Sequence, residues 1–443
     1  MKHLNKVSVN FLICALLCTG CTENAKSADY RSYEHSDLKA GGVTPYTVVD
    51  NVPYILLGKQ TEEGMRAGFW QGFGGKRDPG ETPFENALRE FAEESRNSID
   101  SHPSPYEKEN HPMQNVFAIA HLNCHYYQLM LPITYDRSLP KRFEKILGAA
   151  AFEREKSELR WVHLQSVVDA VYRARVLSLI EKTPPSKLDQ EISIPTEKEL
   201  VLAHNFVETL VIQLLNPQDG IHSLLSGNPL PSSSFSSDEA PNFYQGETFS
   251  LNTSNPDKLK EFQQYFEKYG LKLSMTTADL KEIDAKPDVV AMHKASQMPD
   301  YVLVEDTSLD VEGTDVGINV KHLIDTLDEY VGKSATWTVF LSFKDHGHVY
   351  TFKGEVKGTI VKPQGDKHFG FDPYFLPNGA SKTLAESKPE RYNARALAIK
   401  ALLDGEIYSH GPEITSWAGP WQQEKERNKQ QAHYLDAALY STS

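Results

Sequence analysis

The stretch from Gly75 to Glu94 constrains this chain more than any other, because it joins a glycine loop to a row of acids at helical spacing. It reads Gly-Lys-Arg-Asp-Pro-Gly-Glu-Thr-Pro-Phe-Glu-Asn-Ala-Leu-Arg-Glu-Phe-Ala-Glu-Glu. Gly74, Gly75 and Gly80 permit close backbone approach. Thr82 suits a helix N-cap and Pro83 the first turn. Glu90, Glu93 and Glu94 then stand three and four residues apart, on one helical face. Like charges at that spacing repel. A hard divalent cation reverses the sign, because Mg²⁺ prefers carboxylate oxygens and brings substrate phosphates with it. The competing reading of the same acids is a solvated helix face. Leu88 and Phe91, with Ala87 beside them, are expected to face the core, and the glutamates the cleft.

The spacing decides between the two. Gly75, five residues, Glu81, seven residues, then Arg89-Glu90-Phe91-Ala92-Glu93-Glu94 resembles the Nudix box, G-x5-E-x7-R-E-U-x-E-E-x-G-U, with U an apolar residue. Every position matches through Glu94; Arg96 then replaces the glycine and Asn97 the apolar residue, although Asn97 suits the left-handed end of a helix. The resemblance implies an α/β/α sandwich around a mixed sheet, with Glu90, Glu93 and Glu94 binding Mg²⁺ (or Mn²⁺). It also implies substrate-side roles for Gly75 and Glu81, and an Arg89 that holds Glu81 or Glu90. The general base stays open between Glu93 and an acid outside the box, Glu153, Glu155 or Glu158. Phe69 and Trp70 would either stack on a base or pack as core aromatics.

The flanks read as strands at Thr44–Val49 and Tyr54–Leu57, joined by Asp50-Asn51-Val52-Pro53, and at Val116–Leu122, Tyr126–Ile133 and Glu158–Val162. A helix is expected over Leu164–Ala174. Thr196-x-x-Glu199 reads as a capping box opening a helix to about Leu215. Residues 216–245, rich in Ser, Pro, Gly and Asn, read as a flexible linker.

Beyond it, Thr248–Leu251 reads as a strand before Thr253-Ser254-Asn255-Pro256-Asp257-Lys258-Leu259-Lys260-Glu261-Phe262, a loop and helix that aim backbone N–H groups at a phosphate. With Val304-Glu305-Asp306-Thr307-Ser308-Leu309, Gly365-Asp366-Lys367-His368-Phe369-Gly370-Phe371-Asp372-Pro373-Tyr374-Phe375 and Thr383-Leu384-Ala385-Glu386, this ordered set resembles the inosine triphosphate pyrophosphatase family over about Glu247–Ile407. That resemblance implies Asn255, Lys258 and Lys294 on the triphosphate, and Glu282 and Asp306 on Mg²⁺, with Asp306 activating water. It places Phe369, Phe371 and Asp372 at the base, although Phe371 also suits plain core packing. Successive strand residues face opposite ways, so Glu305 and Asp306 share a metal only if the strand ends there. Where the family has Ser-His-Arg the chain has Asn393-Ala394-Arg395: Arg395 is kept, but Ala394 offers the purine no hydrogen bond. Ser308 replaces a glycine. These departures leave the second site open to a different base, slow turnover or binding alone.

The 443 residues carry a net charge of −14, which disfavours a general nucleic-acid binder. Residues 1–21 resemble a lipoprotein export signal with Cys21 as lipid acceptor, implying an exported, membrane-attached or periplasmic protein, against a cytoplasmic one if unprocessed. Once Cys21 and Cys124 alone remain, no disulfide framework is implied. The expected plan is thus a leader (1–21), tether (22–31), α/β Nudix domain (32–215), linker (216–245), α/β pyrophosphatase-like domain (246–410) able to form homodimers, and polar tail (411–443). The expected function is Mg²⁺-dependent cleavage of nucleotide phosphoanhydrides. A nucleotide sensor, or a Nudix effector acting on a capped or modified macromolecule, are the alternatives.

Overall fold

The computed structural model describes residues 31, 33–61, 66–99, 115–121, 125–146, 155–216, 220–228, 233–238, 248–314, 323–324, 326–365 and 370–422. The leader with Cys21, Cys124, Glu153, Phe369 and the tail beyond Gln422 lie outside them.

The first elements are β1 (Ala40–Val49), β2 (Val52–Gln60), β3 (Trp70–Gln71), β4 (Phe73–Lys76), α1 (Pro83–Glu94), β5 (Val116–His121), β6 (Tyr126–Pro132) and α2 (Leu139–Phe143). They are followed by β7 (Lys156–His163), α3 (Leu164–Glu181), β8 (Ile192–Ile194), β9 (Glu197–Leu202), α4 (His204–Leu215), α5 (Gly220–Ser226) and β10 (Ser233–Asp238). The strands form a mixed sheet in the order β10-β5-β6-β1-β2-β3-β9-β8, with β4 on β1 and β7 on β2. Val49 pairs with Val52, so Asp50 and Asn51 alone make the β1–β2 turn. Both take positive φ, 50° and 63°, the backbone that matches strand twist and that Asp and Asn tolerate.

The next elements are β11 (Ser250–Asn252), α6 (Pro256–Lys268), β12 (Ser274–Thr276), α7 (Pro287–Ser296) and β13 (Val302–Val311). After them come β14 (Ser334–Asp345), β15 (His348–Ile360), β16 (Phe375–Pro377), α8 (Ala394–Leu403) and β17 (Ser409–Pro412). Their sheet runs β12-β11-β13-β14-β15-β16, with β17 on β15. The chain divides into two compact units, Met1–Asp169 with Ser193–Asn242, and Ala170–Ile192 with Phe243–Ser443.

Three expectations need correction. The segment read as a linker holds α5 and β10, and β10 pairs in parallel with β5 from Ser233↔Val116 to Asp238↔His121. Backbone pairing to a sheet edge satisfies a strand whose composition carries no apolar signal. Thr196 opens no helix: Glu197–Leu202 is a strand, and α4 starts after Ala203, which makes no side-chain cap bond. The polar tail begins inside the second unit, where Gly411 and Pro412 belong to β17 and Trp421 bridges to Ile283.

Helix α1 is set at both ends by its own sequence. Thr82 accepts from the Glu85 N–H at 3.1 Å while Glu85 accepts from the Thr82 N–H at 2.8 Å, a complete capping box. Phe84, Ala87 and Phe91 are buried, and Phe91 meets Phe73 edge to face at 5.1 Å. At the far end Arg96 itself takes the left-handed φ of 55°, with Asn97 following at 50°. Their N–H groups bond the Glu93 and Ala92 carbonyls, closing a Schellman motif. Arg96 recovers the left-handed cost through its guanidinium, which donates to Phe143 O at 3.3 Å, Ile146 O at 2.5 Å and Lys156 O at 2.6 Å. Restoring the glycine is therefore expected to weaken the fold. Arg96→Gly relieves about 1 kcal/mol of backbone strain but loses several charge-assisted bonds, for a net loss of about 1–3 kcal/mol in urea unfolding. A more stable variant would refute this account.

Candidate active sites

In the first unit, α1 presents its acids beside the Gly74–Gly75 peptide. Arg89 is the hub: its Nε donates to Glu81 Oε1 at 2.7 Å, and its Nη1 to Glu90 Oε1 at 2.9 Å and Glu93 Oε2 at 3.1 Å. Its Nη2 reaches Glu81 Oε2 at 3.2 Å and Lys76 O at 3.1 Å. Both partners foreseen for Arg89 are engaged, with Glu93 added. Gly75 is needed for proximity, since a Cβ there would fall 2.5 Å from Glu90 Oε2. Burial raises the Glu90 pKa, and the Arg89 charge opposes that rise.

Glu94 does not face an open cleft as expected. Its side chain is 1% exposed and lies 3.3 Å from the Lys156 ammonium, itself fully buried. Glu94 Oε2 accepts from the Gly74 N–H at 2.7 Å. Burial pushes its pKa up to about 7, with Lys156 pulling the other way. Lys156 was not foreseen; the available signal was a lysine opening an otherwise strand-like run. Gly58 makes room for it, because a Cβ there would meet Lys156 Cδ at 2.8 Å. Of the outside acids, the Glu155 charge is felt by both Glu90 and Glu94. Glu158 instead pairs with Arg160 at 2.7 Å. Trp70 is a core residue at 1% exposure, under the Arg160 guanidinium, while Phe69 is half-buried against His204.

The donor chemistry suits a hard cation. Glu94 Oε1 is buried and meets the Lys156 ammonium at 3.3 Å, beside two further carboxylates of the same helix. Among the described residues no three acids are already drawn together as ligands, since Arg89 engages Glu90 and Glu93 while Lys156 engages Glu94.

In the second unit, β13 runs on through Val311 and so separates Glu305 from Asp306. Glu305 is on the side of Arg395, whose Nε and Nη2 donate to its Oε1 at 3.0 and 2.9 Å. Lys258 Nζ lies 3.1 Å from Glu305 Oε2. Burial favours protonation of Glu305, but the Arg395 and Lys258 charges outweigh it and hold the pKa well below the carboxylate range. Arg395 Nη1 also donates to Glu261 at 2.6 Å. Asp306 meets a different set: Lys294 Nζ donates to it at 2.7 Å and lies 2.8 Å from Glu282. Burial raises the Asp306 pKa against the pull of Lys294.

Asn255 caps α6, accepting from the Asp257 and Lys258 N–H groups at 2.9 and 3.2 Å. Phe371 is core, edge-on to Trp337 at 5.6 Å. Asp372 pairs with Lys388 at 3.1 Å, and both line a pocket of about 230 Å³ with Glu261 and Glu386. Glu261 was legible in the Asn255–Phe262 run but was given no role, and Lys388 carried no motif. Ala394 is fully buried at the start of α8, and Asn393 caps that helix while donating to Glu261 at 2.6 Å.

The Ham1 family matches residues 249–405, and the NUDIX domain matches residues 43–180. A dITP/XTP pyrophosphatase of Hyperthermus butylicus is 31% identical over 160 residues, covering 32% of this chain and 83% of that protein. An inosine triphosphate pyrophosphatase of Yarrowia lipolytica is 32% identical over 34% of this chain and 89% of its own length. The chain belongs to the Ham1 family and carries a NUDIX domain before it. A solved dITP/XTP pyrophosphatase from Mycobacterium abscessus is 24% identical, with a TM-score of 0.27 over 35% of this chain and 99% of that one, too slight a likeness to weigh. Both families are nucleotide pyrophosphatase hydrolases that generally use divalent metals, and the protein is a hydrolase of phosphorus-containing acid anhydrides.

Proposed function

We propose that the NUDIX half is a Mg²⁺-dependent pyrophosphohydrolase of nucleoside di- or triphosphate derivatives. The carrying observation is the row Glu90, Glu93 and Glu94 on one helix, its last member buried against Lys156 and the Gly74 N–H, next to a glycine peptide that admits close approach. A bound divalent cation would supply polarisation of the diphosphate and a more acidic water. Glu90, Glu93 and Glu94 would hold it. Arg89 bonds Glu90 Oε1 and Glu93 Oε2 through one guanidinium, leaving the other oxygen of each to turn to the cation. Glu93, the most exposed acid of the three, or Glu155 would take the proton from water.

The Ham1 half is proposed to take noncanonical purine nucleoside triphosphates, the class named for the relatives above. Lys258, Lys294 and Asn255 would meet the phosphates, and Asp306 with Glu282 the cation. The buried Ala394 favours slow turnover or binding alone there, because the purine loses a hydrogen-bonding partner. Incubation with nucleoside triphosphates, ADP-ribose, dinucleoside polyphosphates and NADH, with and without Mg²⁺, tests both halves by product identity. Pyrophosphate from ITP that vanishes in Asp306→Ala assigns the second site. Nucleotide binding with no product from any compound would make the protein a sensor instead.

A further inference from the structure

Four glycines meet where β1 pairs with β4: Gly41 opposite Gly75 and Gly42 opposite Gly74. The first pair faces α1, where side chains would strike Asn86 and Glu90. The second pair lets the two backbones close on each other, with Phe73 O 2.2 Å from where a Gly42 Cβ would lie, and leaves the Tyr126 hydroxyl against both glycines. A Cβ on Gly42 would lie 2.1 Å from the Tyr126 hydroxyl, and one on Gly74 would lie 2.4 Å from it. Tyr126 opens β6, beside β1, and its ring is partly buried. Its hydroxyl makes no hydrogen bond to any described residue. A phenol that no described side chain engages, set against two glycines that admit close approach, is available to a ligand. The same Gly74 gives its N–H to Glu94, so the hydroxyl and the acid row abut one peptide.

We infer that the Tyr126 hydroxyl is a substrate contact of the NUDIX site, donating to an oxygen of the diphosphate held at the Gly74–Gly75 peptide. The inference rests on the reading of that site given above. Its test is calorimetric titration of the full chain with Mn²⁺ alone and with Mn²⁺ plus methylenediphosphonate. The binding component that disappears in Glu94→Gln belongs to the NUDIX site. In Tyr126→Phe, that component should keep its Mn²⁺ affinity within about twofold but bind the diphosphonate about tenfold or more weakly, as loss of one bond to an anion requires. An unchanged diphosphonate affinity overturns the inference, and so does an equal fall in metal and diphosphonate affinity, which would make Tyr126 structural. If wild type and Glu94→Gln titrate alike, it is the site itself that fails.

Discussion

If Glu94 holds the cation as proposed, Glu94→Gln is expected to cut diphosphate hydrolysis at the NUDIX site by about 100-fold or more, because it removes the anionic charge without changing volume. The same variant should change how stability responds to pH. Burial raises the Glu94 pKa from 4.5 to about 7, so the folded state holds a proton that the unfolded chain has released across that window. Stability from this group is therefore full below about pH 4.5 and lost as pH rises to about 7, by an amount on the order of 3 kcal/mol. Glutamine cannot titrate, and its curve should lack that decline. Urea unfolding at pH 5 and pH 7.5 reads the difference. Parallel curves for the two proteins would show that burial does not govern this acid, and near-normal turnover would reduce Glu94 to a counter-ion of Lys156.

Arg395→Ala should be the most damaging change in the Ham1 half. Arg395 is 2% exposed and bonds both Glu305 and Glu261. Without it the buried Glu305 keeps only Lys258 among its charged partners here, and stranding a buried charge costs about 3–5 kcal/mol. The pH signature is opposite to that of Glu94. The folded pKa of Glu305 is depressed, so its contribution is present above the unfolded value near 4.5 and is lost as pH falls below it. The variant should lose stability at neutral pH and lose comparatively little more on acidification. A wild-type unfolding midpoint at pH 7, with activity alone diminished, would show that Arg395 serves substrate and not the fold.

Local signals in the sequence were faithful where residues a turn apart decide the outcome. The Thr82 cap, the Asp50-Asn51 turn and the engagement of Arg89 with Glu81 and Glu90 all follow from neighbours within about ten residues. What could not be read depends on distant partners. Glu94 is removed from the cleft by Lys156, whose approach requires Gly58 on yet another strand. Thr196–Glu199 has the letters of a cap, but pairing across the sheet claims those residues first, a tertiary override of a local preference. Whether Glu305 and Asp306 could share one ion turned on where β13 ends, and no residue between Ser308 and Val311 announces its length.

The backbone leaves the first unit after Asp169, returns at Ser193 and departs again after Asn242. No single proteolytic nick can part the two units cleanly: a cut after Asn242 keeps the first unit whole but leaves Ala170–Ile192 of the second attached to it. A stop codon after Asn242 would therefore strip the second unit of all but that short segment, and the second unit alone cannot be made by trimming from one end without losing part of itself.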